Sequence, residues 1–187
     1  MRIILIVALL FFTLEMFPQG ITEFRGINRT GHYPETGLMR EWPNGGPELM
    51  LKLEGIGKGY SQPLVAGGKI FITGLKEHES DVLSAFDLSG QLLWEAAYGK
   101  SWTRSYSDTR CTPTYQSGKL FVASGTGELN CIDAQTGDLI WKVDVVENYQ
   151  GEIHRHGDAE SPLIVNDLVV YTTGGDKNTM IAFNKNR

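Results

Sequence analysis

The sequence predicts an all-β fold, a β-propeller of four-stranded blades, and three observations carry that prediction. Short β-branched and aromatic runs alternate with turn residues, and no stretch keeps a 3.6-residue apolar period. The runs also repeat: Pro63, Pro113 and Pro162 are separated by 50 and 49 residues, and Trp94 and Trp141 by 47. A period near 50 built from strands is the size of a propeller blade, whereas helical arrays repeat at shorter intervals.

Taken in order, residues 1–20 read as a signal peptide or N-terminal anchor. Arg2 precedes an apolar run from Ile3 to Leu14 that is too short for a ~30 Å hydrocarbon core but suits a secretory segment. Leu14-Glu15-Met16-Phe17 lacks a small-x-small cleavage pattern, so an uncleaved anchor stays open. The expected localisation is exported, either periplasmic or secreted. Residues 21–47 form a leader, and residues 48–187 a partial propeller with blade repeats near 58–98, 108–146 and 158–187. Glu48–Leu53 fits an outer strand, with Leu51 where a Trp would stand.

Within each unit the Pro opens the innermost strand, where a missing N–H costs the ladder little. Gly68-Lys69, Gly118-Lys119 and Asn166-Asp167 then turn the chain into a β-branched second strand. The third strand ends in Asp87, Asp133 or Asn184, whose side chain can bond the following turn. That turn carries Gly90 in the first unit and Thr136-Gly137 in the second. It delivers Trp94 or Trp141 on the fourth strand, a flat ring suited to packing between blades. The chain ends inside the third unit, so about two and a half to three blades are expected, of seven or eight.

Composition narrows the function classes. Charged residues make 21% and the hydrophobic set 41% of the chain, a globular balance, and the net charge of −5 offers no pull toward nucleic acid. Cys111 and Cys131 fall on the first and third strands of one blade, roughly 9–10 Å apart at the usual strand spacing. That exceeds the ~7 Å Cα limit of a bridge, and two buried free thiols are expected. No nucleophile elbow, Ser/His/Asp signature or P-loop is present.

Cys131-x-Asp133-x-x-Thr136-Gly137-Asp138-x-x-Trp141 resembles the tryptophan-docking repeat A-x-D-x-x-T-G-K-x-x-W. Ala85-x-Asp87-x-Ser89-Gly90-Gln91-x-x-Trp94 follows it with one residue deleted, and Ala182-Phe183-Asn184 begins a third copy. Phe24-Arg25-Gly26-Ile27-Asn28-Arg29-x-Gly31 also looks like the leader of exported bacterial proteins with this repeat. The chain therefore resembles the PQQ-binding-like, quinoprotein-type β-propeller repeat proteins, incomplete and cut within the third visible blade. The resemblance implies one of two functions. One is a non-catalytic binding or assembly scaffold without cofactor. The alternative is a fragment of a pyrroloquinoline-quinone-dependent dehydrogenase oxidising alcohols or sugars with PQQ and Ca²⁺. The dehydrogenases' adjacent Cys-Cys pair and acidic calcium cluster are absent, which weighs toward the scaffold. Its expected partners are other proteins or a small ligand at the channel, with no nucleic acid and no membrane span beyond the N-terminal segment.

Candidate binding residues stand just before the inner-strand prolines: Lys58, Tyr60, Arg110 and Glu160. Facing the channel, Lys58 and Arg110 could meet an anion or a quinone carboxylate, or all four could simply line a solvated funnel. His154, His156, Asp158 and Glu160 alternate, and if extended would share one face with metal-ligand chemistry. A polar loop is the plainer reading, and no metal is assigned. The loop Trp102–Tyr106 could form a peptide-docking rim or cover the gap between the first two blades.

Overall fold

The structure, a computed structural model, describes residues 20–76 and 79–187, so all of the apolar N-terminal run lies outside the described residues. The described chain is a partial β-propeller. The first sheet runs β1 (Leu64–Ala66), β2 (Lys69–Lys76), β3 (Ser80–Asp87) and β4 (Leu92–Lys100). The second runs β5 (Thr114–Gln116), β6 (Lys119–Ala123), β7 (Glu128–Asp133) and β8 (Leu139–Asp144). The third holds β9 (Leu163–Val165), β10 (Leu168–Thr172) and β11 (Met180–Asn184). Each is an antiparallel meander in sequence order.

Local chemistry explains the repeat. Pro63, Pro113 and Pro162 each stand directly before the first strand of their sheet. Gly67-Gly68 and Ser117-Gly118 both have positive φ at their two positions, the conformation of a tight hairpin turn. At the far side, Asp87 Oδ1 accepts from the Ser89 and Gln91 amides at 2.8 and 2.9 Å. Asp133 Oδ1 accepts from the Gln135 and Thr136 amides at 2.7 and 3.0 Å, and Asn184 Oδ1 from the Asn186 amide at 2.9 Å. The Ser89 hydroxyl and the turn amides hold the Asp87 carboxyl below its ordinary value.

The two complete blades share one register. Ala85 faces Trp94 and Cys131 faces Trp141, and a bulge follows each of these pairs. A small residue opposite the indole leaves room for it to lie against Phe71 (centroids 5.9 Å, tilted 41°) or Phe121 (6.1 Å, 45°). Each Trp then reaches the next blade. A Cβ built at Gly137 would lie 2.7 Å from Trp94 Cε3, and Trp141 Nε1 donates to Lys185 O at 3.3 Å. Docking the indole thus requires glycine at 137, where φ is +81°.

One apolar core runs through all three sheets, from Leu64, Phe71 and Leu83 through Leu120, Phe121 and Leu129 to Ile164, Val169 and Tyr171. Between neighbouring sheets the Lys of each hairpin turn reaches the next docking turn, Lys69 Nζ to Gln135 Oε1 and Lys119 Nζ to Asn186 Oδ1. The two latches occupy equivalent positions of consecutive units.

Two expectations need correction. Glu48–Leu53 forms no strand. Instead Leu53 packs against the cluster of Ile70, Ile72 and Phe86, and Leu51 covers Gly90. The segment is held by its side chains rather than by a ladder. Cys111 precedes β5 instead of lying in it, although both thiols are buried and free. A short helix, α1 (Val145–Tyr149), follows β8, with Asp144 Oδ1 accepting from the Val146 and Glu147 amides.

Candidate functional site

The ends of the inner strands are joined by a relay from the residue before each proline. The Gln62 amide donates to Thr112 Oγ1 at 2.9 Å, and the Thr112 amide donates to Ser161 Oγ at 3.2 Å. Thr114 Oγ1 donates to Pro162 O at 2.6 Å. Because Thr112, Thr114 and Ser161 are buried, these bonds work in a low-dielectric setting where an unpaired amide would be costly.

A second line of polar groups runs outside this relay. The fully buried Asp81 carboxylate accepts from Ser101 Oγ, from Thr109 Oγ1 at 2.6 Å and from the Gly125 amide at 2.8 Å. Gly125 O in turn accepts from the Asp158 amide at 3.0 Å, so one glycine couples the first sheet to the approach of the third. Asp158 Oδ1 accepts from the Ala159 and Glu160 amides at 2.7 and 3.1 Å, while Oδ2 is buried with no partner. Burial pushes the Asp158 carboxyl up to about 7, the two amides and Arg110 opposing and Glu160 adding to the rise. A cavity of about 140 Å³ adjoins it, lined by His154, Glu160 and Thr172–Gly174 among others.

The sequence-derived candidates do not converge on one site. Arg110 donates to three backbone carbonyls, Ser105 O at 3.0 Å together with Tyr106 O and His156 O. Its fork therefore fastens the 105–106 loop to the turn before the third sheet. Lys58 is exposed and pairs through its backbone with Leu75; Tyr60 is exposed and its amide donates to Thr109 O at 2.8 Å. Glu160 accepts from the Thr172 amide. His154 and His156 do not share an extended face with Asp158 and Glu160, because the Gly157 amide bonds His154 O and makes a turn there. Among the described residues, no three His, Cys, Asp or Glu side chains are placed to hold a metal.

The Trp102–Tyr106 loop meets the β6–β7 turn and the turn before the third sheet. Trp102 is buried against Gly125 and Gly157, its Nε1 donates to Ser105 Oγ at 3.2 Å, and Arg104 lies 5.2 Å above its ring. Beside it opens a groove of about 930 Å³, with Lys100 and Arg104 facing Glu128, Asp144 and Glu152.

Residues 78–187 match the family model described as outer membrane protein assembly factor BamB. The chain belongs to this family. The BamB protein of Vibrio cholerae serotype O1 is 30% identical over 93 residues, covering 46% of this chain. This chain spans about a quarter (24%) of that BamB relative's length. Two solved structures share the fold at a TM-score of 0.50. A europium-containing methanol dehydrogenase is 19% identical over 73% of this chain and 24% of its own. The quinohemoprotein alcohol dehydrogenase ADHIIG of Pseudomonas putida HK5 is 21% identical over 72% of this chain and 20% of its own. At such identity the dehydrogenases and the BamB family have a propeller in common, and fold alone does not carry chemistry.

Three features of the structure escaped sequence reasoning. Asp81 had a faint signal, a lone carboxylate inside an apolar strand. The D-x-x-E spacing of Asp144 and Glu147 could have announced α1. Nothing in the sequence marks Gly125 as a pivot.

Proposed function

We propose that this chain is part of an exported, non-catalytic propeller scaffold that binds other proteins in the periplasm during outer-membrane protein assembly. The match of residues 78–187 to the BamB family is the observation that carries this reading. The inner-strand cations support it: the Arg110 donors are spent on carbonyls of its own loops, and those of Arg29 on Glu23, Ser161 O and Pro162 O. Of the two cations that could meet a quinone's carboxylates, Arg110 is thereby occupied, while Lys58 stays exposed. Among the described residues no helix is long and apolar enough to cross a membrane.

The test is calorimetric titration of the full-length protein with pyrroloquinoline quinone and Ca²⁺, alongside a dye-linked alcohol oxidation assay and crosslinking in cells to outer-membrane assembly proteins. Crosslinks without heat or dye reduction are the expected outcome. Saturable binding with dye reduction would overturn the scaffold reading in favour of a quinone-dependent dehydrogenase.

A further inference from the structure

The leader is more firmly built into the fold than its sequence suggests. Thr22 pairs with Tyr115 through two backbone bonds, at 3.0 and 2.8 Å, joining it to the second sheet. The Arg25 amide donates to Gln62 Oε1 at 3.3 Å, and Gln62 Nε2 donates to Tyr33 Oη at 3.3 Å, reaching the residue before the first sheet's proline. Arg29 spans furthest. Its Nη1 donates to Ser161 O at 2.9 Å and its Nη2 to Pro162 O at 2.6 Å, while Nε pairs with the buried Glu23 carboxylate at 2.6 Å. Ten residues of leader thus touch the inner-strand ends of all three sheets.

The backbone of the leader is unusual in the same place. Arg25, Asn28 and Arg29 all have positive φ, at 66°, 54° and 55°, although none is glycine. Such conformations persist where surrounding contacts over-determine them. Gly26 and Gly31 are also left-handed. A Cβ at Gly26 would lie 2.9 Å from the Tyr33 ring, and one at Gly31 3.1 Å from the Arg25 guanidinium. The spacing F-R-G-x-x-R-x-G is therefore the recipe for one bound conformation that aims Arg29 at two adjacent carbonyls.

We propose that the axial ends of the three inner strands form a binding site for an arginine-bearing peptide, and that Thr22–Gly31 is its occupant supplied in cis. The site has the parts such a ligand needs. It offers a free strand edge at Tyr115, an amide acceptor at Gln62 and a pair of carbonyls at Ser161 and Pro162 matched to a guanidinium fork. Tethering holds the leader at millimolar effective concentration, which keeps the site closed to competing ligands. The inference does not depend on the scaffold reading, since it concerns only how this chain's own segments engage.

The experiment uses the full chain and a fluorescein-labelled peptide of residues 20–34, read by anisotropy, with amide hydrogen exchange followed by mass spectrometry. Wild type should bind no labelled peptide, because its leader fills the site. R29A should bind it saturably, and the same peptide carrying the R29A change should bind at least about tenfold more weakly. In R29A, exchange across 112–116 and 160–165 should rise about tenfold, and excess wild-type peptide should restore protection. If R29A does not fold, R29K keeps the charge but loses the two-carbonyl fork, and the same readouts apply. Unchanged exchange at both segments, or peptide binding indifferent to its arginine, would overturn the proposal.

Discussion

Asp158 shows how one atom's surroundings become a property of the protein. Its Oδ2 is buried without a partner, and the carboxyl is pushed up to about 7 by burial. The unfolded chain releases that proton near pH 4. Between about pH 4 and pH 7 the folded state therefore holds the extra proton, so stability falls as pH rises through this window and levels off above it. Asp158→Asn should flatten the dependence, matching wild type near pH 4 and exceeding it near pH 8 by at most about 4 kcal/mol. Thermal melts across that range, in both proteins, measure it. Gly137 offers a second test. Gly118 and Gly137 share a left-handed φ, 79° and 81°, but only Gly137 has an indole where a Cβ would go. Gly118→Ala should cost about 1 kcal/mol, and Gly137→Ala about 2–3 kcal/mol, the difference being the docking contact. Denaturant titration of both variants separates strain from packing.

At the scale of elements, the relay before the prolines and the lysine latches make opposite predictions. Thr112→Val keeps the shape but leaves the Gln62 amide unpaired beside a buried wall, and should cost about 1–3 kcal/mol. Lys69→Ala removes an exposed bond and should change stability by less than about 0.5 kcal/mol. Chemical denaturation of the two variants distinguishes a structural relay from ornament on the surface. The strands themselves were legible because each unit repeats its turn chemistry: Asp87 and Asp133 make the turns their positions imply. Glu48–Leu53 was misread because alternation predicts a strand only where a partner edge exists to receive it. For the histidine pair, the extended alternative fails at the Gly157 turn. For Arg110, the sequence carries no sign that backbone carbonyls consume its donors.

For the whole molecule, the core that crosses all three sheets makes the thiols a reporter of global integrity. Both cysteines are buried; burial raises Cys111 far above its ordinary value and Cys131 to about 12, leaving each a neutral, unreactive thiol near neutral pH. Neither should react with an aromatic disulfide reagent in the native protein, and both should react after guanidinium unfolding. Rapid labelling of Cys131 alone in the native state would mean that β7 opens independently of the segment leading into β5 in the same sheet.

The leader's reach also sets a schedule. Arg29 meets carbonyls 132 and 133 residues further along the chain, so its partners do not yet exist when it is made. At synthesis rates of about 5–20 residues per second, the leader waits roughly 7–27 s for them. Until then the leader can engage the first two sheets through Gln62 and Tyr115, but its Arg29 guanidinium stays open to whatever meets the nascent chain first.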